Sequence, residues 1–276
     1  MEKIENTLEL NRDEDSLTEE GSLAQETRTP EEPAFTPHEE EMLREMMEIG
    51  VFYGRSKART NPLMKDYVLA TRAGFEVIDL KQTIVALDSA AEFIKGVSGK
   101  DKGSILLVGT SPAAKSAVKE AAEKFDLPSV TERWLGGTLT NFKIILERIN
   151  QFKKLKADIA AGKFEKYTKK ERLELDRKLA RLEILFGGVE KLDRLPSLVL
   201  ITDLSANTLA AREAKRTNIP VLAFVNTDAD PRLADYKIPA NDKSPKSIKL
   251  LLNYLAEAIE QTKTTHDGFD KLTIKG

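Results

Sequence analysis

The stretch SILLVGTSPAAKSAVKEAAEKF, Ser104–Phe125, decides the fold class. Ser104–Val108 is an apolar run between Gly103 and Gly109, which reads as a strand buried on both faces. Pro112–Phe125 follows with helical periodicity, Ser111 standing as its expected cap and Pro112 at a first helical position. The unit recurs downstream. Ser197–Thr202 and Pro220–Val225 read as buried strands separated by a helical stretch, Asn207–Thr217. Tyr236–Ile238 is a short last strand and Lys246–Glu260 a closing amphipathic helix. Upstream, Phe75–Leu80 reads as a strand and Thr83–Val97 as a helix, and Ser129–Thr131 is a short strand. A helix from about Pro37 carries Met42, Leu43, Met46 and Ile49 on one side and ends at Gly50. This alternation predicts an α/β fold: a Rossmann- or flavodoxin-like parallel sheet flanked by helices.

Thr138–Val189 breaks the rhythm, with no strand signal. Phe142, Ile145, Ile149, Phe152, Leu155 and Ile159 recur in steps of three and four. After Gly162, so do Leu175, Leu179, Leu182, Phe186 and Val189. Narrow stripes with charged flanks predict an inserted antiparallel coiled-coil hairpin, against two ordinary surface helices packed on the sheet. The expected organisation is an acidic, disordered extension over 1–37, a discontinuous α/β domain over 38–137 and 190–262, the hairpin over 138–189, and a tail over 263–276.

Composition narrows the chemistry. The 276 residues contain no cysteine, which removes disulfides, iron–sulfur clusters and thiolate chemistry. The two histidines, His38 and His266, lie near the ends, which disfavours histidine acid–base catalysis and multi-histidine metal sites. No apolar run approaches the ~20 residues of a membrane span. Residues 1–45 carry 15 acidic and four basic side chains, whereas residues 46–276 carry 39 basic and 30 acidic. A basic body behind an acidic leader points, weakly, to a polyanionic partner.

Four places could carry chemistry, and each has a plain structural reading beside it. Val108–Lys115 looks like a phosphate-binding turn, but it lacks the full spacing of either glycine-rich motif. Asp203, Asp228 and Asp230 sit at strand ends where magnesium could bind; equally, Asp203 caps a helix and the other two shape the turn before Pro231. RWLGGTLTN (Arg133–Asn141) holds the single tryptophan, with Thr138 or Thr140 as the expected cap of the following helix. Arg133 and Trp134 there could contact a phosphate and a base, or Trp134 could pin the hairpin root. The loop 51–65 carries Arg55, Lys57, Arg59 and Lys65 beside Phe52 and Tyr53, the make-up of an RNA-contact loop or of a merely solvated one. Lys153, Lys154 and Lys156, and Lys163, Lys166, Lys169 and Lys170 near the hairpin tip, share that ambiguity.

The order of motifs is more specific than any one of them. Gly50, Val51 and Gly54 precede Asn61, Pro62, Met64 and Lys65; Val108-Gly109-Thr110 precedes RWLGG and LTN; Ile219–Val221, Thr227-Asp228, Asp230-Pro231, Ile238-Pro239 and Asn241-Asp242 follow. Along residues 46–262 this resembles the bacterial small-subunit ribosomal protein two family. The resemblance implies a non-catalytic cytoplasmic protein without cofactor, metal or small-molecule substrate. It would bind small-subunit (16S-type) ribosomal RNA and neighbouring ribosomal proteins, including the large messenger-capturing protein one. Candidate RNA contacts are Arg55, Lys57, Arg59, Lys65, Arg133, Trp134, Asn141, Lys143, Lys153 and Lys154. Where the family's first loop reads GVHFGH, this chain has Gly50–Arg55 without histidine. Ser111-Pro112 stands where Lys-Arg is usual, and Ala240 replaces a glycine. Two other function classes remain open: a phosphate-binding enzyme using the strand-end loops, disfavoured by the incomplete motifs, and an interaction module built on the helical arm.

Overall fold

A computed structural model describes residues 36–98, 104–164 and 166–269. The expectations for residues 1–35 and 270–276 fall outside them. Eight strands and seven α-helices form these residues. Five strands make one parallel sheet: β4 (Ile105–Val108), β5 (Ser129–Val130), β6 (Leu198–Ile201), β7 (Val221–Val225) and β8 (Tyr236–Pro239), in the order β5-β4-β6-β7-β8. Every residue of β4, β6 and β7 is buried, as their unbroken apolar runs require.

Side-chain alternation along these strands feeds two cores. Ile105, Leu107, Leu198, Leu200, Leu222 and Phe224 face α1 (Pro37–Ile49), α2 (Leu80–Ser98), α3 (Lys115–Phe125) and α7 (Pro245–Phe269). Leu106, Val108, Val199, Ile201, Val221 and Ala223 face α6 (Thr208–Arg216) and the roots of α4 (Phe142–Ala160) and α5 (Lys169–Phe186). α4 and α5 pack against each other. Gly162 leaves α4 with φ +70°, and a reciprocal Thr168–Glu171 capping box starts α5. Ile145, Ile149 and Phe152 of α4 and Phe186 of α5 are buried, so the pair is rooted on the domain through the ends nearest the sheet.

Several expectations are corrected. Phe75–Leu80 does not join the parallel sheet. β3 (Phe75–Ile78) pairs antiparallel with β1 (Tyr53–Ser56) and β2 (Val68–Arg72) in a separate three-stranded sheet, and Leu80 begins α2. The stretch 51–65 is therefore not all loop. It holds β1 and a 3-10 turn, Lys57–Arg59, and a second turn begins at Pro62. α3 begins at Lys115 rather than Pro112: Ser111 Oγ is buried without a hydrogen-bond partner, while its carbonyl accepts from the Ala114 and Lys115 amides at 2.9 and 3.2 Å. The RWLGG helix is capped by neither threonine side chain, because Thr138 Oγ1 donates to the Leu135 carbonyl and Thr140 Oγ1 to Glu213. α7 runs to Phe269, past Glu260 where the closing helix was expected to end.

Candidate nucleic-acid interface

At the carboxyl ends of the parallel strands, where α/β sheets place ligands, this chain places an internal ion-pair network. Arg55, on β1, reaches inward. Its Nε donates to Asp228 Oδ2 at 3.1 Å and a terminal guanidinium nitrogen to Asp242 Oδ1 at 2.8 Å. Asn226 Nδ2 also donates to Asp242 Oδ1, at 2.9 Å, and Lys243 Nζ to Asp203 Oδ2, at 2.8 Å. Ser205 Oγ donates to Asp228, and the Ala206 amide to Asp203. Asp203 and Asp242 are wholly buried. Burial, with the Asp203 charge beside it, pushes the Asp242 carboxyl up to about 7, against the opposing pull of Arg55 and Lys243. The second Asp242 oxygen is buried and has no hydrogen-bond partner among the described residues. Burial also works against charge on Asp203, but hydrogen bonds from Lys243 and the Ala206 amide hold it below the usual carboxylate range.

These partners answer the magnesium reading of the strand-end acids: their charge is met by this chain's own cations. Asp203 does bond the first turn before α6. Asp230 caps the turn at Pro231, accepting from the Arg232 amide at 3.0 Å, whereas Asp228 belongs to the Arg55 network. The phosphate-like turn is also occupied structurally. A Cβ at Gly109 would lie 2.5 Å from Thr202 Oγ1 and 2.6 Å from Val118, so the glycine lets β4, β6 and α3 close up. Thr110 Oγ1 donates to Asn207 at 2.9 Å.

RWLGGTLTN is organised by a residue that the sequence did not single out. Glu213 of α6 lies buried beneath it and accepts from Trp134 Nε1 (3.1 Å) and from the amides of Gly137 (2.8 Å), Leu139 (3.1 Å) and Thr140 (3.4 Å). Gly137 turns the chain with φ +90°, which presents its amide to that carboxylate. Trp134 is 8% exposed and packs into the core under α6. Its indole is therefore tied to α6 from within the core. The signal was present: Glu213 is the only charge among the inward-facing Ala210, Ala211 and Ala214.

The remaining candidates divide by exposure. Lys57, Arg59 and Lys65 are exposed on the two 3-10 turns, and none forms an ion pair among the described residues. Their backbone is held firmly. The Lys57 amide donates to the Gly74 carbonyl and the Asn61 amide to the Thr227 carbonyl, and buried Met64 anchors the second turn in the core under α6. Arg133, Asn141, Lys143 and Lys154 are exposed around the RWLGG turn and along α4. Lys153 is half-buried on a broad groove of about 1010 Å³ that it shares with Glu183 and Glu190. Arg55 is committed to the buried acids, so it differs in kind from its loop neighbours.

The fold and these sites define a class before any comparison: an α/β scaffold with its strand ends closed by its own ion pairs and with cations that have no ion-pair partner among the described residues on exposed turns. The model of the family "Ribosomal protein S2" matches residues 46–262. The chain belongs to the ribosomal protein S2 family, a structural, non-enzymatic component of the small ribosomal subunit. It is 41% identical over 222 residues to small ribosomal subunit protein uS2 of Corynebacterium kroppenstedtii, covering 80% of this chain and 77% of that one. It is 38% identical over 226 residues to the uS2 protein of Coprothermobacter proteolyticus, covering 82% and 84%. No helix among the described residues is long and apolar enough to cross a membrane.

Proposed function

We propose that the chain binds small-subunit ribosomal RNA through exposed cations, Lys57, Arg59 and Lys65 of the 57–65 turns and Arg133, Lys143 and Lys154 of the RWLGG–α4 segment, with the neutral amide of Asn141 as a hydrogen-bonding contact beside them and Lys153 at the margin. The observation that carries this reading is that Lys57, Arg59 and Lys65 have no ion-pair partner among the described residues and stand on a backbone held by the Gly74 and Thr227 carbonyls. Held cations without acidic partners release counterions when they meet phosphates, which gives affinity without a pocket. Arg55 and Trp134 serve this surface from below, Arg55 by fixing β1 and Trp134 by fixing the turn.

In the same reading, α4 and α5 form an inserted antiparallel coiled-coil arm on a discontinuous α/β domain. The half-buried Leu155, Ile159, Leu179 and Leu182 and the Lys156–Glu183 pair at 3.6 Å support that seam. Neighbouring ribosomal proteins, the messenger-capturing protein one among them, are the expected protein partners. Co-sedimentation of the purified chain with small subunits at rising salt tests the proposal. Retention at low salt and release at high salt is expected, and no retention at low salt would refute it.

A further inference from the structure

The two faces of the parallel sheet treat their surface charge differently. On the α3/α7 face, cations have nearby acids: Lys249 lies 2.6 Å from Glu120, Lys124 3.3 Å from Glu260 and Lys119 4.0 Å from Glu123. On the opposite face, the outer side of α6 carries Leu209, Arg212 and Arg216 at helical spacing, all exposed. Neither arginine forms an ion pair among the described residues. The inner side of the same helix is Ala210, Ala211, Glu213 and Ala214, all buried.

Glu213 makes this helix and the RWLGG turn one body, since its carboxylate holds the Gly137, Leu139 and Thr140 amides. Gly136 is exposed at the seam: a Cβ built on it meets only Leu209, at 3.9 Å. Its own amide finds no acceptor among the described residues. At the far end of α6, Lys215 Nζ donates to the Arg232 carbonyl, which fixes the helix to the turn after β7. Met64, beneath the Lys57–Lys65 turns, packs in the core that α6 also covers.

We infer that the outer face of α6, through Arg212 and Arg216 with the bare Gly136 backbone at its Leu209 end, is a second phosphate-binding surface for the RNA backbone. The inference rests on the proposed RNA binding and extends it to Arg212 and Arg216, which no candidate motif contained. The ligand chemistry follows from the parts. Two guanidiniums one helical turn apart match successive phosphates, and Gly136 lets a phosphate oxygen reach a main-chain donor. An acidic protein partner would be met by the same charges, but the side-chain-free Gly136 notch suits a phosphodiester better than a carboxylate side chain.

The test is the slope of log affinity against log salt for the full chain on small-subunit RNA. Arg212→Gln/Arg216→Gln is compared with Lys119→Gln/Lys249→Gln, which removes the same charge from the other face. The α6 pair is expected to lower the slope by about 1.5, the share of two phosphate contacts, with an unchanged melting temperature. The control pair is expected to leave the slope close to that of the parent. An unchanged slope in the α6 variant overturns the inference, and so does an equal drop in both variants. Loss of incorporation into subunits with an unchanged RNA slope would assign the face to a protein and overturn it too. A parent protein with no salt dependence refutes the proposed function itself, so the two failures are read from different samples.

Discussion

Glu213→Ala removes one carboxylate that five hydrogen bonds converge on: three amides, the Trp134 indole and the Thr140 hydroxyl. Donors at the solvent edge, on Gly137 and Thr140, can turn to water. The indole N–H of Trp134 and the amide of Leu139 are buried and cannot. Two stranded buried donors cost about 1–3 kcal/mol each. Removing a buried charge returns part of its desolvation cost. The net loss is therefore about 3 kcal/mol, which at roughly 2–4 °C per kcal/mol lowers the melting temperature by about 6–12 °C. Urea titration measures it directly. Trp134, the single tryptophan of the chain, gives a local readout: its emission should shift red as the turn loosens. Glu213→Gln, which keeps an acceptor but aims an amide N–H₂ at donors, should fall between. A loss below about 1 kcal/mol for the alanine variant would mean that the turn is held by packing alone.

Further outcomes follow from the ion-pair network and the close glycine. Arg55→Ala strands Asp228 and the buried Asp242 and should cost about 3–5 kcal/mol by urea unfolding; RNA affinity lost at full stability would instead place Arg55 on the interface. Asp242 gives a pH signature. Its folded carboxyl titrates near 7 against an ordinary value of 3.8, so between these values the unfolded chain has released a proton that the folded chain keeps. That contribution to stability is complete below about 3.8 and is lost as pH rises through 7. Parallel urea series at pH 5 and pH 8 should show it, and Asp242→Asn should flatten the difference; an equal pH dependence in the variant rules this origin out. Gly109→Ala should cost about 1–3 kcal/mol, because its methyl would press on Thr202 and Val118; an unchanged urea midpoint would show that the contact relaxes freely.

Legibility in the sequence tracked burial. β4, β6 and β7 are four- and five-residue runs buried on both faces, so composition alone located them within a residue or two. The three-stranded sheet was read less well. β1 has no fully buried residue and β2 none either, so neither shows an apolar run or a clean alternation. β3 was visible as a strand, but nothing in four residues tells antiparallel from parallel pairing. Helix starts failed where a turn intervenes, as between Ser111 and Lys115. Among the candidate residues, Lys57, Arg59 and Lys65 read in the sequence as charges in a turn-rich stretch, and they are exposed on turns. Arg55 has the same residue type in the same stretch, yet its partners lie 173 and 187 positions away. Only the fold brings them together. The alternatives for Trp134 could not be separated from sequence because its partner, Glu213, is 79 positions downstream.

The most direct test of the central claim, that the unpaired cations of this scaffold bind ribosomal RNA, is the affinity of the full chain for small-subunit RNA between about 50 and 200 mM salt. It is measured for the parent and for Lys57→Gln/Arg59→Gln/Lys65→Gln. The account predicts a steep inverse dependence in the parent and a slope shallower by roughly 2–3 in the triple variant, at unchanged thermal stability. A parent affinity that is flat across that range, or a triple variant that keeps the parent's slope, would contradict it.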